Sequence, residues 1–595
     1  MKIINKWRSV FKREITIASL LPGLMLIVGL WLFPIDILQR DLSMMPGDKG
    51  DSRFNNYILE HGYQFLTGKV DHYWDAPFMY PAKNAIAYSD NLLGTVPLYA
   101  LFRAFHCDRE TAFQLWFLSL FVLNFICCYW ALKKWSASTL LSSVGAYIYA
   151  FSIFILTHMN HAQVFPRFMI PLILFWFWNW IKNKNLKSFY YLTAGLVFQF
   201  YCGIYLGFFA IYILLFMTIA YFIVYRDKGF ILWMKEGKNG LKHLVALIST
   251  ILLLLPMFIP YIQISNKFGY RDFEEVLSYI PTFRSYYSAI PESAVWRFLS
   301  WHIREQGGNW WELFLFPGLI AYLGVLLFPF VYKKASEKKE LLFLLFSLLF
   351  VVFFTMNFNG VCLYKVFFNL PGFGSMRSIN RIINAEVMLF ILLMVAVLKV
   401  VEASKWKNIL FLLPFVVVID NTTSYWERQY KKEEVQQREK ETKDRIQKYI
   451  TGTKAIAYQH YNLRGQEPFC HLDVMIACQD LNVPCVNAYT GLYPNKYKGF
   501  FNGEGLDSLT VWLAENNKTL NDVVIVSDEH AGFLHRSYIK IKCANGKYLR
   551  IDKDHGDKLV ATASAESEAE LFEFAQIDDS TSVDRKSTRL NSSHS

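Results

Sequence analysis

Long apolar runs separated by short polar loops dominate the first 420 residues of the chain. A hydrocarbon core about 30 Å thick is crossed by roughly 20 apolar residues in a helix, so runs of this length predict transmembrane helices. About eleven such runs are present. They lie near residues 15–34, 111–132, 139–157, 164–181, 188–204, 206–225, 243–263, 312–332, 341–357, 384–401 and 408–420. The pattern predicts an all-α polytopic membrane domain over residues 1–420, whose first run is a retained helix because no convincing small-residue cleavage site follows it.

Basic residues occur in every second loop between these runs, on the side of the basic N-terminus. Loops rich in Lys and Arg stay in the cytoplasm, so the pattern predicts a cytoplasmic N-terminus and an external C-terminus. The net charge of +12 therefore reflects topology and does not indicate nucleic-acid binding. A composition of 54% hydrophobic and 18% charged residues is that of an integral membrane protein embedded in a lipid bilayer.

Two predicted external loops are long, residues 35–110 and 264–311. Within the first, "NLLGTVPLYALFRAF" (91–105) is apolar but too short to cross a bilayer, and we expect an interfacial helix there. The alternative is a further span or a re-entrant segment. That alternative would invert every later loop against the distribution of positive charge.

The composition becomes polar from about Asn421. A charged helical segment leads into mixed strand and helix signals, which predict a separate extracytoplasmic α/β domain over residues 421–537. Four of the nine cysteines fall after Asn421. In an exported domain they would form one or two disulfides, and free buried thiols are the alternative.

The last segments differ in character from the rest of the chain. The "ANGKYL" turn between alternating strands in residues 538–583 resembles one repeat of the fascin-like β-trefoil family, and a single repeat predicts only a partial trefoil because repeats need neighbours to bury a core. Residues 584–595, "DRKSTRLNSSHS", resemble the translation of a common sequencing-adapter oligonucleotide. We expect them to be an artefact of sequence assembly and exclude them from function.

The first long loop carries the candidate chemistry. Asp48 and Asp51 each follow a glycine, and Asn55 lies one helical turn after Asp51. Carboxylates at a membrane face can bind a divalent cation or accept a proton. Tyr80 and Asp90 add polar groups later in the loop. The alternative is that these are turn residues and helix caps in a solvated loop.

At this point several segments carry a family resemblance. They are "GDSRFNNYILE", "DAPFMYPAKNAIAYSDNLLGTVPLYALF", "YAFSIFILTHMNHAQVFPRFMIPLIL", "ELFLFPGLIAYLG" and "GSMRSINRI". Over roughly residues 15–400 the chain resembles the large bacterial family of multi-span proteins related to GT-C glycosyltransferases. The resemblance implies a GT-C architecture in the bacterial cytoplasmic (inner) membrane. It also implies transfer of a hexosyl or pentosyl group from a polyprenyl-phosphate-linked donor to an envelope glycan, lipid or protein acceptor at the external face.

The resemblance also implies roles for residues of the first loop. The family's Gly-Asp pair maps to Gly50 and Asp51, and its following Asn maps to Asn55. Asp51 is thereby implied as a base or a metal ligand, with Asp48 as an additional acid. We expect a divalent cation, Mg²⁺ or Mn²⁺, to be held by Asp51 and Asp90 if the site uses a metal.

Three arginines are candidates for holding the lipid phosphate: Arg167, Arg377 and Arg381. The guanidinium fork matches phosphate geometry. The alternative is that these side chains extend to the headgroup level, as arginines near the ends of membrane helices commonly do.

Polar residues after the third predicted span form another candidate group. His158, His161 and Gln163 are predicted to lie on the same membrane face as Asp51, and we expect them to bind substrate through hydrogen bonds, since hard-cation chemistry with Asp favours oxygen ligands. Capping or loop packing is the alternative. In the 264–311 loop, Glu292 lies among aromatic residues suited to stacking on sugar rings, although an interfacial aromatic belt has the same composition.

Two other functions are alternatives to glycosyl transfer. A transporter or flippase of lipid-linked glycans predicts ionisable residues within spans and internal repeats, whereas the acids of this chain are concentrated in external loops. A non-catalytic membrane scaffold would leave the acidic first loop without a purpose.

Overall fold

The computed structural model describes residues 17–268, 271–304, 309–370, 372–374, 376–450, 452, 454–459, 468–527, 535–540, 542–543, 545–552, 558–563, 571–576 and 582–585. The chain divides into two compact units. One comprises Met1–Ala457 and Arg464–Val524, and the other comprises Tyr458–Leu463 and Ile525–Ser595. The candidate site residues all belong to the first unit.

Helices account for most of the first unit. In chain order they are α1 Ile17–Leu32, α2 Pro34–Leu38, α3 Asp51–Leu66, α4 Val96–Ala104, α5 Arg109–Lys134, α6 Thr139–Phe151, α7 Met169–Asn183, α8 Leu186–Cys202, α9 Ile204–Tyr225, α10 Lys228–Lys235, α11 Gly237–Phe268, α12 Phe273–Leu277, α13 Phe283–Tyr287, α14 Trp301–Arg304, α15 Leu319–Val331, α16 Lys338–Thr355, α17 Tyr364–Phe367, α18 Ile383–Glu402, α19 Leu413–Asp420, α20 Lys432–Gln447, α21 Phe469–Leu481, α22 Lys498–Phe501 and α23 Leu506–Glu515. Short 3-10 helices extend or connect several of them.

Among the residues that the structure describes, seven helical segments are long and apolar enough to cross a membrane. They are Ser19–Leu38, Arg109–Lys134, Thr139–His158, Ala162–Asn183, Ile204–Tyr225, Gly237–Phe268 and Ile379–Glu402. Helices also occupy the other four predicted positions, as α8, α15, α16 and α19. The mostly helical membrane architecture is confirmed, and the count of eleven spans stays a prediction.

The span Ile379–Glu402 lies at the centre of the bundle. About 89% of its most apolar window is buried, against 17% for Gly237–Phe268, which lies at the periphery. Helix α15 packs on α18 so closely that a Cβ at Gly324 would lie 2.5 Å from the backbone nitrogen of Met394. Only glycine fits there, and the contact fixes the middle of α18 against α15.

The polar part after Asn421 forms strand β4 and helices α20 to α23, with strands β5 Ala455–Gln459 and β6 Val523–Ser527. Strand β4, Gln429–Lys431, pairs antiparallel with β1, Met44–Pro46, in the first long loop. The predicted mixture of helix and strand is therefore present. In the division into compact units the first unit continues to Ala457 and includes Arg464–Val524, and the domain boundary near residue 421 stays a prediction.

The second unit contains β7 His535–Lys540, β8 Tyr548–Asp552, β9 Lys558–Ala563, β10 Leu571–Gln576 and β11 Ser582–Arg585. Strands β8 and β9 form an antiparallel hairpin, and β10 pairs with both β7 and β11. The resemblance of this segment to a trefoil repeat stays a prediction. Strand β11 includes Asp584 and Arg585, the first two residues of the presumed adapter segment, and the remainder of that segment lies outside the described residues.

A short hairpin and a short helix lie in loops between the longer helices. Strands β2 Asn357–Phe358 and β3 Val361–Cys362 form a short hairpin after α16. The apolar segment 91–105 is helical over Val96–Ala104, and its interfacial position stays a prediction. All nine cysteines are free thiols, and of the four after Asn421 Cys478 and Cys485 are buried, whereas Cys470 and Cys543 are partly exposed.

Candidate functional site

Asp51 is the first residue of helix α3 in the long first loop. A carboxylate in the first turn is stabilised by the partial positive charge of the helix N-terminus. The rest of the helix is almost entirely buried, including polar residues such as Asn56 and Glu60. The Asp51 side chain nevertheless keeps 37% of its surface exposed. A largely buried helix thus presents one accessible carboxylate.

His161 connects Asp51 to a second, buried acid. Its Nδ1 lies 2.9 Å from Oδ2 of Asp51, and its Nε2 lies 3.2 Å from Oε1 of Glu312. The His161 side chain is 13% exposed and that of Glu312 only 7%. One imidazole therefore bridges two carboxylates from distant loops of the chain.

Glu312 is also paired with Arg381. The guanidinium donates from Nε and Nη2 to the carboxylate at 3.2 to 3.3 Å, which is bidentate geometry. Asn380 adds a hydrogen bond from Nδ2 to the backbone oxygen of Glu312 at 2.6 Å. The four groups Asp51, His161, Glu312 and Arg381 form a chain of alternating charge, which we call the acid-histidine relay.

The pKa values of Asp51 and His161 reflect this arrangement. Burial would raise the pKa of Asp51, but His161 and the hydroxyl of Tyr489 outweigh burial and hold it below its ordinary value. Burial and Arg381 would lower the pKa of His161, but Glu312 and Asp51 raise it above its ordinary value. Both shifts favour an ionised carboxylate beside an imidazolium.

Tyr489, between α21 and α22, completes the surroundings of Asp51. Its hydroxyl donates to Oδ1 of Asp51 at 2.9 Å. Burial is the largest cause that raises the pKa of Tyr489, and the negative charge of Asp51 adds to it, so the phenol stays a donor. Each oxygen of Asp51 therefore has one protein partner, Oδ1 with Tyr489 and Oδ2 with His161.

Asp48 has a different environment from Asp51. Its Oδ1 accepts hydrogen bonds from the backbone nitrogens of Gly50 and Ser52, at 3.1 and 3.3 Å. Burial first, and then repulsion from Asp51, raises the pKa of Asp48 to about 6. Asp48 thus supports the start of helix α3, which corresponds to the capping alternative considered for this residue.

Asn55 and Gln163 meet beside the acid-histidine relay. Nδ2 of Asn55 donates to Oε1 of Gln163 at 3.1 Å and to the backbone oxygen of Asp51 at 2.7 Å. Asn55 therefore fixes both the first turn of α3 and the segment that carries His161. The structure brings these predicted residues together.

His158 and Arg167 are buried behind the relay. The two ring nitrogens of His158 lie 3.3 Å from Asn380 Nδ2 and 3.2 Å from Asn384 Nδ2. Arg167 is fully buried, and its guanidinium donates to Asn384 Oδ1 at 2.9 Å and to the Tyr149 backbone oxygen at 2.6 Å. Both residues therefore support the N-terminal end of α18.

The other two predicted arginines lie around Tyr205. The Arg381 guanidinium is centred 5.8 Å from the Tyr205 ring, and the backbone nitrogen of Arg377 donates to the Tyr205 hydroxyl at 3.1 Å. The Arg377 side chain is 35% exposed, and its Nη1 lies 3.6 Å from Oε1 of Glu275. Of the predicted arginines, Arg377 is the most accessible to an anion.

The remaining predicted residues have contacts of their own. Oδ1 of Asp90 accepts from the backbone nitrogens of Asn91 and Ile204, each at 3.0 Å. The pKa of Asp90 is raised to about 6, mainly by burial. Glu292 is buried and its backbone oxygen accepts from Ser424, while the Tyr80 backbone oxygen accepts from the indole of Trp512. None of these contacts involves Asp51.

The residues around Asp51 do not fit the expected divalent cation. Across the described parts of the chain, no group of three or more His, Cys, Asp or Glu is placed to hold a metal ion. The two oxygens of Asp51 already face His161 and Tyr489, and a protonated His161 would repel a cation. We therefore derive no step through a metal at this carboxylate.

Sequence reasoning missed two principal members of the site. Glu312 is the first residue of the predicted span 312–332. An acid at the start of an apolar run is only a weak indication of a functional site. Tyr489 gave no signal at all, because nothing in a polar segment 438 residues away indicates contact with Asp51. Asn380 and Asn384, which follow the predicted Arg377, were also missed.

Comparisons with known proteins add little to this geometry. No protein-family model matches the chain, and no curated protein matches it. Among solved structures, the chain is similar to the crystal structure of ArnT from Cupriavidus metallidurans in the apo state, with 10% identity and a TM-score of 0.34 over 90% of this chain and 95% of that one. At that TM-score the two backbones agree only loosely, so the site is interpreted from its own residues.

Proposed function

We propose that the protein is a membrane glycosyltransferase of the GT-C type that uses a polyprenyl-phosphate-linked sugar as donor. The observation that carries the proposal is the position of Asp51 at the accessible end of the buried acid-histidine relay. An ionised carboxylate with one exposed edge can accept a hydrogen bond from an acceptor hydroxyl. The resemblance of residues 15–400 to GT-C-related proteins supports the same assignment of Asp51.

The proposed reaction is a displacement at the anomeric carbon. The acceptor oxygen forms a bond to that carbon while the bond to the donor phosphate oxygen breaks, and the polyprenyl phosphate leaves with the electron pair. Asp51 accepts the hydroxyl proton as the new bond forms. His161, held between Asp51 and Glu312, keeps the carboxylate oriented and compensates its charge.

Arg377 is the group that we assign to the leaving phosphate. Its side chain is partly exposed, and its backbone nitrogen donates to the hydroxyl of Tyr205, whose ring lies 5.8 Å from the guanidinium of Arg381 at the inner end of the relay. A guanidinium stabilises the charge that develops on the phosphate oxygen as the sugar departs. Arg381 is already engaged by Glu312 and acts on the leaving group only through its charge.

The direct test uses the purified full chain in detergent or liposomes. It is incubated with a panel of radiolabelled polyprenyl-phosphate-linked hexoses and pentoses, with and without lipid and glycan acceptors from the cell envelope. Release of polyprenyl phosphate together with label in the acceptor supports transfer. Folded, monodisperse protein that transfers no sugar from any donor of the panel contradicts it, and movement of intact donor across the liposome bilayer would favour the flippase alternative.

A complementary test compares cell-envelope glycans by mass spectrometry with and without the gene. A sugar missing from one envelope component would identify the donor class and the acceptor together. Complementation with the wild-type gene should restore that sugar, and complementation with Asp51→Asn should not.

A further inference from the structure

The polar segment near Tyr489 lies directly over the start of helix α3. Tyr489 hydrogen-bonds to Asp51, and it also approaches the backbone of Gly50. A Cβ at Gly50 would lie 2.5 Å from the Tyr489 hydroxyl oxygen and 2.6 Å from the ring of Phe469. Gly50 is therefore required by the approach of Tyr489 and Phe469. The close approach of these two side chains thus explains why a glycine precedes Asp51.

The Tyr489 side chain is held in place from several directions. Its ring lies 6.0 Å from that of Phe54 and 6.4 Å from that of Phe469, and its backbone nitrogen donates to Sδ of Met475 at 3.0 Å. Phe469 and Met475 belong to α21, and Phe54 belongs to α3. The hydroxyl is thus positioned by packing of Tyr489 against both helices.

The two partners of Asp51 define the plane of its carboxylate. Tyr489 holds Oδ1 and His161 holds Oδ2, so rotation of the carboxylate would lose both contacts. An oriented acceptor is worth far more in a proton transfer than a freely rotating one, because the lone pair must point at the proton. The Asp51 side chain keeps 37% of its surface exposed, so the oriented carboxylate is accessible.

We infer that Tyr489 is a positioning residue for Asp51, supplied to the site by the C-terminal polar segment. This inference rests on the proposed function of Asp51 as the group that accepts the proton. It assigns this segment a role in the site, because Asp51 lacks one of its two partners without Tyr489.

The test compares Tyr489→Phe with Tyr493→Phe. The first substitution removes only the hydroxyl and keeps the ring packing against Phe54 and Phe469. Tyr493 lies in the same segment, but its hydroxyl accepts a hydrogen bond from the Thr490 backbone nitrogen at 2.9 Å instead of donating to Asp51. We expect Tyr489→Phe to lower kcat about tenfold with little change in KM, since a hydrogen bond to a charged group is lost. We expect Tyr493→Phe to match the wild type.

A second measurement does not depend on activity. Water-soluble carbodiimide reacts with protonated carboxyl groups, and tandem mass spectrometry separates Asp51 from Asp48 in the same peptide. Because Tyr489 helps to keep Asp51 ionised, Tyr489→Phe should increase labelling of Asp51 at about pH 5. Gly50→Ala, which displaces Tyr489, should increase it too, and Tyr493→Phe should not.

The outcomes separate this inference from the proposed function. If Tyr489→Phe leaves both kcat and Asp51 labelling unchanged, or if Tyr493→Phe alters them equally, the positioning role is overturned. If no variant and no wild-type sample shows transfer, the proposed function fails, and the labelling of Asp51 alone decides whether Tyr489 positions it. Equal thermal unfolding temperatures of the variants confirm that folding is not the cause.

Discussion

Arg53 and Asp473 form a buried ion pair across 420 residues of sequence, with Nη2 of the arginine 2.5 Å from Oδ1 of the aspartate. Arg53 lies on α3, two residues after Asp51, and Asp473 lies on α21. Glu439 on α20 makes a second contact with Arg53 at 2.8 Å. The pair therefore joins the candidate site to the helix that holds Tyr489 in place.

Removal of one charge from this pair should destabilise the protein strongly. In Asp473→Asn the guanidinium of Arg53 stays buried with only Glu439 as its acidic partner, and we expect a loss of about 3 kcal/mol in the free energy of unfolding. The matched control is Glu515→Gln, which breaks an exposed pair with Lys496 and should cost less than about 1 kcal/mol. Thermal unfolding in detergent measures both, and equal effects would contradict the assigned importance of the buried pair.

Asp51→Asn should abolish most of the transfer activity. The amide keeps the size of the side chain but cannot accept a proton, so we expect a decrease in kcat of about a hundredfold or more. Asp48→Asn should have a milder effect, because the amide oxygen can still accept from Gly50 and Ser52. Transfer from polyprenyl-phosphate-linked sugar measures both. Normal turnover by folded Asp51→Asn would exclude the role of Asp51 in proton transfer.

Asp48 should make stability depend on pH between about 4 and 6. Its pKa in the folded protein is about 6, above the ordinary 3.8, so the folded state binds more protons than the unfolded state in this window. The contribution of Asp48 to stability therefore decreases as pH rises through that range. The unfolding temperature of Asp48→Asn, relative to the wild type, should be higher at neutral pH than at about pH 4.

The matched control for this prediction is Asp108→Asn. Asp108 accepts a hydrogen bond from the Thr111 backbone nitrogen, a contact that lowers its pKa although burial opposes it. Its contribution is present above the ordinary pKa and is lost only as pH falls below that value. The difference between Asp108→Asn and wild type should therefore not change between about pH 5 and 7. The same pH dependence in both variants would refute the assignment to Asp48.

The stability that His161 contributes should decrease as pH rises, whereas that of a paired acid increases. Its folded-state pKa is raised above the ordinary 6.5 by Glu312 and Asp51. The advantage of wild type over His161→Gln should thus be fully present below pH 6.5 and should decrease as pH rises through the folded-state pKa. Unfolding temperatures measured over that range test this, with the exposed His106→Gln as control. An advantage that grows with pH would contradict the bridging imidazolium.

The membrane topology can be tested with single cysteines at Lys69 and Lys334. Both side chains are exposed, and the distribution of positive charge predicts Lys69 outside and Lys334 inside. A membrane-impermeant maleimide added to intact cells should label Lys69→Cys above the level of the parent protein and leave Lys334→Cys unlabelled until the cells are opened. The reverse pattern would require an inverted orientation.

The hydrophobic pattern predicted the helical architecture well. Every predicted span contains helix, because the length and polarity of each run are local properties of the sequence. Helix α3 was not predicted as a buried helix, since its sequence "DSRFNNYILEHGYQFL" is polar enough for a solvated loop. Its burial depends on partners such as Asp473 and Glu439, which lie hundreds of residues away.

The site was predicted only in part for the same reason. Asp51, His161 and Arg381 were named from their local context, and the structure joins them in one relay. The link between His161 and Arg381 is Glu312, whose role is defined only when three loops meet. Tyr489 shows most clearly where prediction from sequence ends, because no local pattern around a single tyrosine in a polar segment indicates its contact with Asp51.

The contact between Tyr489 and Asp51 also has a consequence for biosynthesis. The two residues are separated by 438 positions, so the ribosome must add all of them before this contact can form. At about 5 to 20 residues per second, the interval is about 20 to 90 s. During that time the intervening helices enter the bilayer while Asp51 lacks one of its two partners. The helices between these residues are therefore made before the contact exists, and the candidate site is complete only after residue 489 has been added.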